Sequence, residues 1–139
     1  MKTIFKIIVC SVLLFSTTSK INATVRIGII GLDTSHSPAF VKLINAEEPK
    51  PEYAGFKVVA AYPYGSKTIK TSYDRIPKFT EEVQKYGVEI TTSIDELLKV
   101  VDCVLLETND GNLHLEQALE VFKAGKPVFI DKPIGANLA

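Results

Sequence analysis

One short stretch, residues 25–40, constrains the fold of this chain more than any other. It opens with an apolar run from Val25 to Ile30, of the kind that a parallel sheet buries on both faces. Gly31 follows and lets the backbone turn, and Ser37-Pro38 then supplies a predicted N-cap with proline at the first helical position. A strand that turns tightly into a helix directs free backbone N–H groups at the turn, which is a common anion site.

Segments with strand and helix patterns alternate along the rest of the chain. After the first strand, strands are predicted at residues 56–62, 88–91, 102–107 and 127–130, and helices at 38–47, 77–86, 93–100 and 113–124. Residues 65–75 show no period and are predicted to be a loop. Five strands joined by short helical connections indicate an α/β fold with a doubly wound parallel sheet.

Two helices carry local signals that a structure can check. Ser93 and Glu96 have the spacing of a capping box. In residues 113–124, an apolar stripe predicts the face that packs on the sheet. Its members are Leu115, Ala118, Leu119 and Phe122.

Residues 1–23 are predicted to be a secretory signal peptide, and residues 24–139 the domain. Lys2 and Lys6 precede the apolar run of residues 7–15, and a small-residue segment ends at Ala23. The run is too short to span a bilayer, which needs about 20 apolar residues. We therefore expect an exported protein, periplasmic or extracellular, with no stable membrane insertion after cleavage. An uncleaved anchor and a structural helix are the alternatives.

The charge balance argues against two classes of partner. Removing residues 1–23 takes away three of the 16 basic residues and none of the 16 acidic ones. A weakly acidic domain without a basic cluster is not expected to bind nucleic acid or an anionic membrane.

The carboxyl ends of the predicted strands select the residues that could bind a ligand, because ligands of open parallel sheets bind there. These ends carry the carboxylates Asp33, Glu107, Asp110 and Asp131, with His36, His114 and Lys132 near them. Such a set suits a sugar or polyol, or, less readily, a divalent cation, and solvation of the loops is the third alternative. No ligands fall at helical i, i+3 or i+4 spacing, so no metal site is predicted.

Four pieces of the sequence carry a family resemblance. They are residues 26–31, the helix start near His114, residues 124–128, and the tripeptide Asp131-Lys-Pro133. In order and spacing they resemble the N-terminal half of the Gfo/Idh/MocA (glucose–fructose oxidoreductase / inositol dehydrogenase) family, and the tripeptide corresponds to the Glu-Lys-Pro signature of that family. The resemblance implies a Rossmann-like domain that binds NAD or NADP. It also implies that Lys132 lies beside the nicotinamide and is catalytic, with a solvated lysine as the alternative.

The same resemblance implies a set of cofactor contacts, although only the first glycine of the Gly-x-Gly-x-x-Gly fingerprint is present. The predicted contacts are Gly31, Asp33, Thr34, Ser35, His36, Tyr62, Asn109 and His114. Asp33 replaces the second glycine, and a carboxylate about 4 Å from a phosphate charge costs about 1 kcal/mol in water and about 4 kcal/mol at a dielectric near 20. His36 replaces the third glycine. Tyr62 stands where many NAD-binding proteins place an acid for the ribose.

Structural alternatives exist for most of these residues. Asp33 and the neighbouring hydroxyls could simply cap the first helix while His36 fills the gap beside it. Tyr62 could pack at the rim of the sheet instead of stacking on adenine, and His114 could cap or pack.

Two functions follow from the sequence. The first is an NAD(P)-dependent oxidoreductase acting on a sugar or polyol, represented here by its nucleotide-binding portion. The family draws its acid/base pair from a second, C-terminal domain, so we expect a truncated product or fragment that does not catalyse alone. The second is an exported, non-catalytic carbohydrate-binding module of the same fold that has lost the dinucleotide. A purely structural or dimerisation half is the remaining alternative, and homo-oligomerisation is left open for a chain that carries the second domain.

Overall fold

The computed structural model describes residues 23–137, so the predicted signal peptide, apart from Ala23, lies outside the described residues. The elements in chain order are β1 Val25–Ile30, α1 His36–Ile44, β2 Phe56–Tyr62, α2 Lys70–Tyr73, α3 Ile76–Gln84, β3 Glu89–Ile90, α4 Ile94–Val100, β4 Cys103–Leu106, α5 Gly111–Lys123 and β5 Val128–Ile130. A 3-10 turn at Pro51–Tyr53 precedes β2. The strand order is β3-β2-β1-β4-β5 and every neighbouring pair is parallel. The predicted doubly wound parallel sheet is therefore confirmed.

The central strand β1 separates two apolar cores. Ile27 and Ile29 belong to the core beneath α1 and α3, while Ile30 belongs to the core beneath α4 and α5. Gly28 lies directly under α4, where an added Cβ would come within 2.6 Å of Leu97 Cδ2. The sheet is thus covered on both faces, and only its edges and strand ends are open for a ligand.

The start of α1 differs from the prediction. The helix begins at His36, so Ser35 and not Ser37 is the N-cap residue, and Ser35 makes no capping hydrogen bond through its side chain. The Ser37 hydroxyl instead donates to the carbonyl oxygen of Gly31 at 2.8 Å. The predicted cap was wrong because this serine faces back toward the β1 turn, where a buried carbonyl needs a donor.

The predicted packing face of α5 was also wrong in part. The residues buried against the sheet are His114, Gln117, Ala118 and Val121. Leu115 is 71% exposed and Phe122 56% exposed. The helix carries two stripes about 100° apart, each at helical spacing, and periodicity alone does not say which one meets the strands.

Two further local predictions had different outcomes. The Ser93 cap is confirmed, since the Ser93 side chain accepts the backbone N–H of Glu96 at 3.1 Å. The other half of the predicted capping box is shifted by one residue, because the Glu96 carboxylate accepts the backbone N–H of Thr92 at 2.9 Å. The predicted loop at residues 65–75 instead contains α2. Among residues 23–137, no helix has both the length and the apolar character needed to cross a bilayer.

Candidate functional site

The β1–α1 turn follows the carboxyl end of β1, the strand whose neighbours β2 and β4 continue the sheet in opposite directions. Gly31 has a φ of 96°, and a Cβ there would be 2.5 Å from the backbone nitrogen of Thr108. Glycine is needed on both counts, since other residues strain at positive φ and no side chain fits the gap. The turn is thereby held tightly against the β4–α5 loop.

Asp33, at the position of the second fingerprint glycine, is fully buried. Its Oδ2 accepts the backbone N–H of Ser66 at 3.1 Å, and its Oδ1 accepts the backbone N–H of Asn109 at 3.0 Å. Burial raises the pKa of this carboxyl, and the two N–H donors oppose that rise. The carboxylate therefore joins the loops that follow β2 and β4 to the β1 turn.

A second carboxylate links the same loops from the α5 side. Asp110 caps α5 by accepting the N–H of Asn112 at 3.0 Å, and its other oxygen accepts the Ser66 hydroxyl at 2.9 Å. The side-chain amide of Asn109 donates to the Ser72 hydroxyl at 2.8 Å. The polar side chains of the loops that follow β2 and β4 are thus already hydrogen-bonded to one another.

Three titratable side chains meet where α1 begins and where β4 and β5 end. His36 Nδ1 donates to the carboxylate of Asp131. Glu107 is fully buried, and neither of its oxygens has a hydrogen-bond partner among the described residues. Burial, together with the nearby charge of Asp131, raises the pKa of Glu107 to about 8.

A pocket of about 150 Å³ opens beside this group. Its lining residues are Thr34, Ser35, His36, Arg75, Asn109, Asp131 and Lys132. Five of the nine residues predicted as contact or catalytic residues thus share one pocket, as strand-end placement led us to expect. Arg75 was missed, because it lies in a stretch without any period or motif.

Tyr62 lies at a different pocket of about 220 Å³, which also includes Gln117. Its ring stacks on Tyr64 with 5.6 Å between the centroids. Gln117 is buried, and both polar atoms of its amide lack partners within residues 23–137. Gln117 was also missed in the sequence analysis, because the apolar stripe of α5 predicted a different buried face for this helix.

His114 is set apart from the Lys132 pocket. It is buried, and its Nε2 donates to the carbonyl oxygen of Thr108 at 2.5 Å. A carbonyl can only accept, so Nε2 carries the proton in this contact. The geometry agrees with the capping and packing alternative for this residue, and its contact with a cofactor stays a prediction.

Comparison with known proteins identifies the family. The sequence model described as "Oxidoreductase family, NAD-binding Rossmann fold" (GFO_IDH_MocA) matches residues 25–139. The chain belongs to the Gfo/Idh/MocA oxidoreductase family. A relative described as an uncharacterised oxidoreductase, from Streptococcus pneumoniae, is 38% identical over 56 residues, which is 39% of this chain and 15% of the relative.

Solved structures of this family share the fold. One is KijD10, a 3-ketoreductase from Actinomadura kijaniata in complex with TDP-benzene and NADP, with 25% identity, a TM-score of 0.55, and coverage of 81% of this chain and 31% of that one. Another is the UDP-N-acetylglucosamine 3-dehydrogenase GnnA from Acidithiobacillus ferrooxidans, with 20% identity, a TM-score of 0.55, and coverage of 81% and 29%. The chain thus spans less than a third of the length of these Gfo/Idh/MocA proteins.

Proposed function

We propose that this chain is the NAD(P)-binding portion of an exported oxidoreductase that acts on a sugar or a polyol. Membership of the Gfo/Idh/MocA family supports the cofactor, and residues 1–23 support export. The UDP-N-acetylglucosamine 3-dehydrogenase among the solved structures of the same fold supports a sugar-type substrate. The observation that carries the proposal is the pocket at the β1–α1 turn.

This pocket is suited to an anion such as the pyrophosphate of a dinucleotide. Thr34 and Ser35 bring hydroxyl groups to the N-terminal end of α1, where the helix dipole favours negative charge. Arg75 and Lys132 add two cationic side chains from two other segments of the chain. An arginine guanidinium matches the geometry of phosphate oxygens, so Arg75 is the residue we expect to contact the phosphates most directly.

The other pocket could hold the adenine end of the cofactor. Stacked Tyr62 and Tyr64 offer an aromatic face, and the unpaired amide of Gln117 offers both a donor and an acceptor to a base edge. In Gfo/Idh/MocA proteins the lysine of the Glu-Lys-Pro signature lies beside the nicotinamide and the substrate. Exposed Lys132 would take that place, with hydride transfer completed by residues of a further domain.

The test is a titration of the full chain with NADH and with NADPH, followed by the emission of the reduced cofactor. Loss of one charge-assisted contact of about 1.5–3 kcal/mol predicts that Arg75→Gln weakens binding by roughly tenfold or more. Lys42→Gln removes an exposed charge from the far end of α1 and is the matched control. Equal affinities of the two variants would contradict the assignment of this pocket.

A second function, a carbohydrate-binding module without a dinucleotide, is favoured by one observation. Asp131 lines the pocket and Glu107 lies next to it, so carboxylates as well as cations border the place assigned to phosphate. Carboxylates accept hydrogen bonds from sugar hydroxyls and repel phosphate. Absence of NADH and NADPH binding at millimolar concentrations, with saturable sugar binding by calorimetry, would select this second function.

A further inference from the structure

Three side chains of the types that bind metal ions converge at the carboxyl edge of the sheet. His36 comes from the start of α1, Glu107 from the end of β4 and Asp131 from the end of β5. One ligand atom from each lies within 4.8 Å of the other two. The sequence argument against a metal considered ligands spaced along one helix, whereas these three come from three elements.

Glu107 is the observation that points to a ligand. Its side chain is fully buried, and it faces the other two groups. Neither of its oxygens makes a hydrogen bond of normal geometry among residues 23–137, and its nearest polar neighbour is the Asp131 carboxylate, which helps to raise its pKa. Buried carboxyl groups are normally hydrogen-bonded, paired with a cation or bound to a metal, because a buried polar group without a partner is costly whether or not it is charged. No described lysine or arginine forms an ion pair with Glu107.

We propose that His36 Nδ1 and one carboxylate oxygen each from Glu107 and Asp131 bind a divalent first-row transition-metal ion. Two carboxylates balance the charge of the ion, and a neutral imidazole completes a three-ligand set of the kind that leaves one position open. The neighbouring pocket of about 150 Å³ leaves that position accessible to solvent and offers a route by which the ion could enter. The proposal does not rest on the proposed function, since it needs no dinucleotide.

The geometry requires only small side-chain movements. Bonds of about 2.1 Å in a tetrahedron place ligand atoms about 3.4 Å apart. His36 and Asp131 are both partly exposed, so their side chains can rotate away from their mutual hydrogen bond and toward the ion. The competing occupant is a proton shared between Glu107 and Asp131, which the experiment distinguishes from a metal.

The test is a titration of the chelator-treated full chain with Mn²⁺, followed by the loss of the electron paramagnetic resonance signal of free Mn²⁺. This probe avoids the thiols, which prefer softer metals. We expect one ion per chain, displaced by added Zn²⁺. Removing one ligand, in Glu107→Gln or in Asp131→Asn, should weaken Mn²⁺ binding by at least about tenfold. Loss of a residue that only hydrogen-bonds a metal ligand already costs about tenfold or more in metal affinity, and loss of a ligand itself should cost no less.

Asp95→Asn is the matched control, because Asp95 is an exposed carboxylate on α4 that pairs only with Lys99 in the described structure. Far-UV circular dichroism checks that each variant is folded, and if buried Glu107→Gln does not fold, Asp131→Asn decides. No binding up to millimolar Mn²⁺, or equal binding by Asp131→Asn and Asp95→Asn, would overturn the proposal. Because the titration contains no NADH, its outcome is independent of whether the cofactor binds.

Discussion

Replacing Asp33 with glycine restores the second glycine of the dinucleotide fingerprint, yet we expect the protein to become less stable. In the structure this carboxylate accepts one backbone N–H from each of two loops, at Ser66 and Asn109. Asp33→Gly leaves both donors without an acceptor inside the protein. It also removes the side chain against which Gly65 packs, whose added Cβ would lie 2.8 Å from Asp33 Cγ.

The magnitude follows from the two lost bonds. Hydrogen bonds to a charged group contribute about 1.5–3 kcal/mol each, which gives a gross loss of about 3–6 kcal/mol. Burying the Asp33 carboxylate is itself unfavourable, as its raised pKa indicates. The variant avoids this desolvation cost, which offsets part of the loss. We therefore expect the free energy of unfolding to fall by about 2–4 kcal/mol.

Urea unfolding followed by far-UV circular dichroism measures this change, since the chain has no tryptophan for fluorescence. Asp33→Asn keeps one acceptor oxygen but places an NH₂ group opposite the backbone N–H of either Ser66 or Asn109. Two donors then face each other, so this variant should also be less stable than wild type. The matched control is Asp74→Asn, which alters an exposed carboxylate paired with Lys70. If Asp33→Gly changed the unfolding free energy by less than about 0.5 kcal/mol, the typical effect at a surface site, the carboxylate would not be joining the loops.

Three further predictions concern the fold. Gly31→Ala puts a Cβ 2.5 Å from a backbone nitrogen of the β4–α5 loop at a positive φ, and should lower the unfolding free energy by at least about 2 kcal/mol in the same assay. Hydrogen bonds from Arg26 lower the pKa of Asp102 from 3.8 to about 2, so the stability this pair adds is present above pH 4 and is lost as the pH falls toward 2. Thermal melts at several pH values should therefore show wild type and Asp102→Asn converging in acid. Phe122→Ser should change the melting temperature far less than Val121→Ser, because Phe122 is exposed and Val121 is buried.

The positions of the strand ends could be predicted well from the sequence. Short apolar runs bounded by turn residues predicted the five strands. Because helical crossovers make these strands parallel, their carboxyl ends lie at one edge of the sheet, independently of how the side chains pack. Thr34, His36 and Lys132, from opposite ends of the domain, share a pocket for this reason. Arg75 joins them without any local signal, because only the path of the β2–α3 segment brings it there.

The direction of individual side chains could not be predicted in the same way. Two stripes on α5 have helical spacing, and the position of the strands, not the period, determined that Val121 is buried and Phe122 exposed. At the start of α1, Ser37 had the right residue type for a cap but faces a carbonyl of the preceding turn. Residue type and spacing limit such choices to a few, and packing selects among them.

By itself the sequence determined the α/β class, the parallel direction of the strands and the edge where a ligand can bind, because these depend on hydrophobic runs and chain connectivity. Only the tertiary structure decided that Asp33 points inward to two loops and that Glu107 is buried without a partner beside His36 and Asp131. The physical reason is distance along the chain. His36 and Asp131 are 95 residues apart in sequence, and such contacts exist only once the whole sheet has formed.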